Sequence, residues 1–107
     1  MTMPFVGELR ARRDTIGLGP EGATRLWLRV EVPELWDVVR IAAPASESVL
    51  AVKVAALEVL LPRADQRDYV TKLSGWEVLD EQQTLSQAGA RDGSTFLVTY
   101  RRRRPVR

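Results

Sequence analysis

The side chains of this sequence best placed to act together are its arginines. Arg101, Arg102, Arg103 and Arg104 follow one another directly, and Arg107 stands close behind. Guanidinium groups in such a run offer paired N–H donors to carboxylates or phosphates. Acid–base and nucleophilic chemistry has far less to draw on. There is no Cys, which removes disulfides, thiol nucleophiles and Cys-based metal sites. There is no His, which removes the usual general base, the Ser-His-Asp triad and the commonest metal ligand. Asp65 with Asp68, and Asp80 with Glu81, are the available carboxylate pairs. Each lies in a polar stretch with no apolar pocket signalled around it, so solvated acids are expected rather than a raised pKa. Gly17-Leu18-Gly19 with Gly22 follows no predicted strand and carries no Lys-Ser/Thr, so it makes no phosphate loop. The inventory predicts no enzyme, no cofactor and no metal.

The arginines also distort the charge balance. The chain has 16 basic and 14 acidic residues, net +2. Five of the arginines and no acid lie in 101–107, so the rest holds 11 basic against 14 acidic residues, net −3. A mildly acidic body argues against a surface built for nucleic acid, which makes that partner an unlikely one. No apolar run approaches the roughly 20 residues of a membrane span. No apolar leader of the secretory kind opens the chain. A cytoplasmic setting is expected, with no membrane partner.

The elements that must position these residues are legible from periodicity. The 107 residues suffice for one domain. Residues 1–23 are rich in Gly and Pro and poorly patterned, which predicts a flexible N-terminal extension. Phe5, Val6 and Leu9 leave room for partial docking, and Glu8 to Asp14 for a short helical turn. From Thr24 to Val32, Leu26, Leu28, Val30 and Val32 alternate with Arg25, Trp27, Arg29 and Glu31. This predicts a half-buried strand with Trp27 on the wet face. Pro33 ends it. Val38 to Ala43 returns as a second strand, with Val39, Ile41 and Ala43 inward.

Ser46 or Ser48 caps a helix predicted from about Glu47 to Leu61, closed by Pro62. Val49, Val52, Ala56 and Leu60 make one apolar stripe; Leu50, Val54, Leu57 and Leu61 make a second. Only one stripe can lie on a sheet. The second is expected to be covered by the N-terminal extension, by a partner or by another copy. Tyr69 to Leu73 and Trp76 to Leu79 read as short strands about a Ser74-Gly75 turn. Thr84 caps a short turn, Leu85 to Ala88, which Gly89 ends. Asp92-Gly93 makes a turn, and Ser94 to Tyr100 is a last strand with Phe96, Val98 and Tyr100 on one face. Leu26, Leu28, Val30, Val49, Val52, Leu85, Phe96 and Val98 are the expected core.

The last third resembles ubiquitin-like proteins. Thr84-Leu85, Ala90, Gly93-Ser94-Thr95-Phe96 and Arg101 stand in that family's order and spacing without a gap. Asp65-Gln66-Arg67, Ser74-Gly75 and Leu79-Asp80 continue the match upstream, with one extra residue between Gly75 and Thr84. Ser48-Val49, Val52-Lys53 and Ala56 look like the start of the family's helix. The resemblance covers Thr24 to Arg104. It implies an α+β fold, the ubiquitin-like β-grasp, with a mixed sheet of four to five strands and one main helix across one face. It places the last strand centrally, parallel to the first. The domain is then 24–100, followed by a basic C-terminal tail, 101–107.

The resemblance also implies a function: a small protein recognised by other proteins. Arg101, Arg102, Arg103 and Arg104 would form the partner-binding tail, with Leu97 as a surface contact at an outward position of the last strand. Trp27, on the wet face of its own strand, is either a second surface contact or covered by the N-terminal segment. Conjugating members of the family end in two glycines, whereas Arg104 and Pro105 fall at those positions here. Two functions follow. One is a protein modifier conjugated through its tail after processing, served by activating or conjugating enzymes and a processing protease. The other is a non-covalent module of a secretion or signalling assembly, like the stand-alone bacterial ubiquitin-like proteins without the di-glycine. Binding of nucleic acid through the arginines is the contrasting third.

Overall fold

The computed structural model describes residues 15–20, 22 and 24–101. Six strands form one mixed sheet: β1 (Ile16–Gly17), β2 (Leu26–Val32), β3 (Asp37–Ala43), β4 (Tyr69–Leu73), β5 (Trp76–Glu77) and β6 (Thr95–Tyr100). Their spatial order is β1-β3-β2-β6-β4-β5. β2 and β3 form an antiparallel hairpin, and β6 runs parallel to β2 in the middle of the sheet, as the resemblance implies. β4 is antiparallel to both β6 and β5.

One helix, α1 (Val49–Leu60), packs on one face of this sheet. Ser48, not Ser46, starts it, its hydroxyl accepting from the Ala51 N–H at 3.0 Å. It stops at Leu61, one residue before Pro62, because a residue preceding proline is pushed out of the helical region. A four-residue helix, α2 (Leu85–Ala88), follows β5. Thr84 and Gln87 cap it reciprocally, and Leu85 is fully buried beneath. Gly89 leaves it at φ 92°, where a side chain would be strained. The Leu85 N–H donates to the Glu47 carbonyl at 2.8 Å, tying this turn to the start of α1.

The inner face of the sheet is aliphatic. Leu28, Val30 and Val32 of β2 meet Val39, Ile41 and Ala43 of β3, Phe96 and Val98 of β6, and Val49, Val52 and Ala56 of α1. Of the expected core, only Leu26 is half-buried, at the strand end. Tyr100 shares the inward register of Phe96 and Val98 but emerges past the edge of the core. There it meets Tyr69 edge-to-face at 5.4 Å.

Three expectations need correction. The sheet has six strands, not four to five, because β1 comes from the segment expected to be a loose extension. Ile16 and Gly17 pair in parallel with Ile41 and Ala42, and Ile16 and Leu18 pack against the core. The β3 edge would otherwise leave its N–H and C=O groups unpaired there. Residues 1–14, including the expected turn at 8–14, lie outside the described residues. The second helical stripe is partly covered from within the domain: Leu57 is buried, while Leu50, Val54 and Leu61 are half-buried. The Leu50 N–H donates to the Glu81 carbonyl at 2.8 Å, and Val54, Leu57 and Leu61 line an open cleft with Pro62, Ala64 and Gln66. The strand expected over Trp76 to Leu79 shortens to Trp76–Glu77, with Val78 turned inward and Leu79 exposed.

Candidate protein-recognition surfaces

β2 and β6 present their alternate residues to the face away from α1. The outer set is Trp27, Arg29 and Glu31 on β2, and Thr95, Leu97 and Thr99 on β6. Registers bring Glu31, Leu97 and Lys72 into one row across three strands. Leu97 is therefore half-buried between a carboxylate and an amine. Trp27 is 57% exposed. Its backbone is locked to the turn before β6: its N–H donates to the Asp92 carboxylate and its carbonyl accepts from Gly93, each at 2.7 Å. The strand rise separates Trp27 and Leu97 by about 13 Å along the sheet, so they share a face without touching.

Arg29 stands directly opposite Arg40 in the β2–β3 register. Like charges placed so oppose pairing. Arg29 is drawn off by Glu31, at 3.3 Å, while Arg40 has no acidic partner among the described residues.

β6 ends at Tyr100 and the chain continues into Arg101 without a turn. The Arg101 N–H donates to the Asp68 carbonyl at 2.7 Å, and its guanidinium reaches the Arg67 carbonyl at 3.3 Å. The Tyr100 N–H donates to the Glu34 carboxylate at 3.0 Å, which brings the β2–β3 loop to the same corner. In that loop Trp36 is 94% exposed. Arg102, Arg103 and Arg104 lie outside the described residues. Beside Arg101, Asp65 is held at about 2 because Arg67 hydrogen-bonds its carboxylate through both side chain and backbone. The Tyr69 hydroxyl is pushed up, first by burial and then by the nearby Glu34 carboxylate.

The carboxylate pairs read from the sequence part company. Asp65 bonds Arg67 on the surface and Asp80 accepts from the Gln82 N–H. Glu81, expected to be solvated, lies instead 2.7 Å from the Lys53 ammonium, with side-chain exposures of 19% and 1%. Lys53 also donates to the Tyr69 carbonyl at 2.8 Å. Its helical position, four residues after Val49 and three before Ala56, falls on the buried face, so periodicity placed the lysine inward but did not identify Glu81 as its partner. Trp36, Trp76 and Leu79 were also missed as exposed apolar groups, since loops and short strands show no periodicity to assign a face.

Among the described residues no three carboxylates converge to hold a metal ion, and no helix is long and apolar enough to cross a membrane. The surfaces can supply apolar contact, carboxylate-binding guanidinium groups and strand edges, which is the chemistry of protein recognition.

No protein-family model and no curated protein sequence matches the chain. Solved structures do. The ubiquitin-like domain of Arabidopsis thaliana protein At2g32350 superposes with a TM-score of 0.63 at 15% identity, covering 83% of this chain and 90% of that one. Caldiarchaeum subterraneum ubiquitin gives 0.62 at 13% identity, covering 76% and 99%. The C-terminal ubiquitin-like domain of mouse tubulin-specific chaperone e gives 0.62 at 18%, covering 82% and 98%. A central β6 parallel to β2, one crossing helix and these superpositions together make the fold of this chain a ubiquitin-like β-grasp.

Proposed function

We propose that this chain is a small ubiquitin-like protein that works by being recognised by other proteins. Its contact surfaces are the outer sheet face at Trp27 and Leu97 and the run Arg101, Arg102, Arg103 and Arg104. One observation carries the reading: β6 bears Leu97 on the outer face and leads into Arg101 without a loop. One strand thus supplies both surfaces, and a partner holding the sheet face can also draw the following residues into an acidic groove. Guanidinium groups pair there with carboxylates that the tail itself lacks. Used this way in the cytoplasm, the chain is a protein modifier, trimmed by a protease and joined to targets by activating and conjugating enzymes.

A second reading, a non-covalent module in a secretion or signalling assembly, is favoured by one feature. Arg104 and Pro105 replace the two small residues that a narrow conjugating channel takes. Nucleic-acid binding is disfavoured by the acidic body, which opposes what five arginines contribute.

The test replaces Arg101 and Arg103 together with Ala in the full chain. The fold should be unchanged, because Arg101 is exposed beyond the last strand. Covalent adducts or stable partner complexes formed in cell extract should be lost. A wild-type adduct selects the modifier, and a complex without one selects the module. Tight DNA binding that falls steeply with salt, with neither adduct nor complex, would overturn both.

A further inference from the structure

Two adjacent rows on the outer sheet face differ in chemistry. In one, Arg40, Arg29 and Thr95 follow one another across β3, β2 and β6. In the other, Trp27, Ala42 and Gly17 follow one another across β2, β3 and β1. The rows stand two residues apart along β2, about 7 Å. Residues directly opposite in an antiparallel pair have Cα atoms about 5 Å apart, so the two guanidinium groups start from adjacent points. Neither is sealed: Arg40 is exposed, and the Arg29 side chain keeps half its surface. The arrangement opposes pairing of the strands while it concentrates paired N–H donors in one spot. Beside it, Ala42 and Gly17 carry too little side chain to wall in the Trp27 indole on that side, and Trp27 stays largely exposed. The chain itself shows what these arginines take. The Glu31 carboxylate, two residues along β2, accepts from one nitrogen of Arg29 at 3.3 Å. Both partners of that contact are solvent-exposed, and such pairs contribute little.

We propose that Arg29, Arg40 and Trp27 form a docking site for an acidic segment of a partner protein. The segment lies extended along β2, with one carboxylate between the two arginines and an aliphatic side chain, two residues away, on the Trp27 ring. The inference rests on the reading of the outer face as a recognition surface and adds the partner's chemistry to it. An extended chain returns to the same face every two residues, at the spacing of β2 itself, so both contacts form at once. A carboxylate shared by two guanidinium groups displaces Glu31 from Arg29 and sets an attraction against the repulsion between the pair. The free protein therefore carries a like-charge contact that is relieved only when the partner is bound. A nucleic-acid strand offers bases to stack on Trp27 and phosphates to the arginines. However, the Asp92 carboxylate, which accepts from the Trp27 N–H, and Glu31 flank the site. Two fixed carboxylates oppose a continuous phosphate backbone far more than a lone carboxylate.

The probe is a labelled peptide, Ser-Leu-Ser-Glu-Ser-Leu-Ser, whose symmetry serves either chain direction. One control replaces Glu with Gln, and a second replaces both Leu with Ser. Anisotropy titrations use the full-length wild type, Arg29→Gln and Arg40→Gln. Wild type should bind the peptide, and its Trp27 indole and Arg40 amide resonances should shift on binding, a readout that needs no variant. Loss of the Glu carboxylate or of either arginine should weaken binding about tenfold, and loss of the Leu side chains should weaken it less. Arg40→Gln should melt at the wild-type temperature or above it, because it removes a like-charge contact. No binding by wild type, equal binding of the Gln control, a lower melting temperature for Arg40→Gln, or tighter binding of a thymidine oligonucleotide overturns the proposal. A wild-type protein that captures partners from extract yet ignores the peptide sinks this inference alone and leaves the recognition reading standing.

Discussion

The two faces of the sheet are made by the same strands and differ in almost every physical respect. Val30 and Phe96, neighbours across β2 and β6, have no exposed surface. One residue along each strand stand Glu31 and Leu97, half-exposed and bordered by charge. The inner face is bound to one solution, since a void or extra methylene there disturbs α1 and three strands together. The outer face tolerates arrangements that do nothing for stability, such as Arg29 opposite Arg40. A pair of strands can thus put its folding information on one side and keep the other for contact.

The most severe way to test that division is Phe96→Ala against Leu97→Ala. Phe96→Ala should destabilise by about 3–5 kcal/mol, and Leu97→Ala by less than about 1 kcal/mol, measured by denaturant unfolding. Comparable losses would mean that the outer face is also structural.

A nearly equal effect is expected where charge has been carried inside. Glu81→Ala leaves the Lys53 ammonium sealed with only the Tyr69 carbonyl, and should cost about 3–5 kcal/mol. Lys53→Met keeps the packed stem and leaves Glu81 at the margin, where water reaches it. It should cost far less or even stabilise. If Lys53→Met proves the worse of the two, the pair contributes more than its desolvation removes.

The smallest effect belongs to the exposed pair beside the tail. Asp65 has a folded-state pKa near 2 against an ordinary 3.8. A depressed carboxylate contributes stability that is present above the ordinary value and lost as pH falls through the folded one. Its share should therefore fade between about pH 4 and pH 2, and Asp65→Asn should flatten the acid limb slightly in that window. Both groups are solvent-exposed, so salt should reduce the difference further. An unchanged acid limb would show that the Arg67 contact is absent in solution.

Much of the domain was legible because its signals are periodic or chemical. Alternation over Leu26 to Val32 assigned β2 and its faces, and the Thr84 and Gly89 punctuation located α2. The segment before Thr24 was misread for the converse reason. Two strand residues, Ile16 and Gly17, among glycines and prolines carry no period, and their pairing depends on an edge built by residues far along the chain. The second stripe of α1 misled in another way. Apolar residues at helical spacing report that a surface is covered, not what covers it.

The same limit separates what the candidate surfaces owe to sequence and to tertiary structure. Alternation alone put Trp27 on a wet face and Leu97 opposite Phe96 and Val98, and residue types alone removed His and Cys chemistry and concentrated arginine after Tyr100. These are properties of neighbouring residues, so a linear reading reaches them. Only the folded chain set Glu81 against Lys53, brought Glu34 to the Tyr100 amide and seated Ile16 beside Ile41. Each of those contacts joins residues more than 20 positions apart. Which partners meet over such distances is decided by the crossing of the helix and the order of the strands. Local propensity carries no record of either.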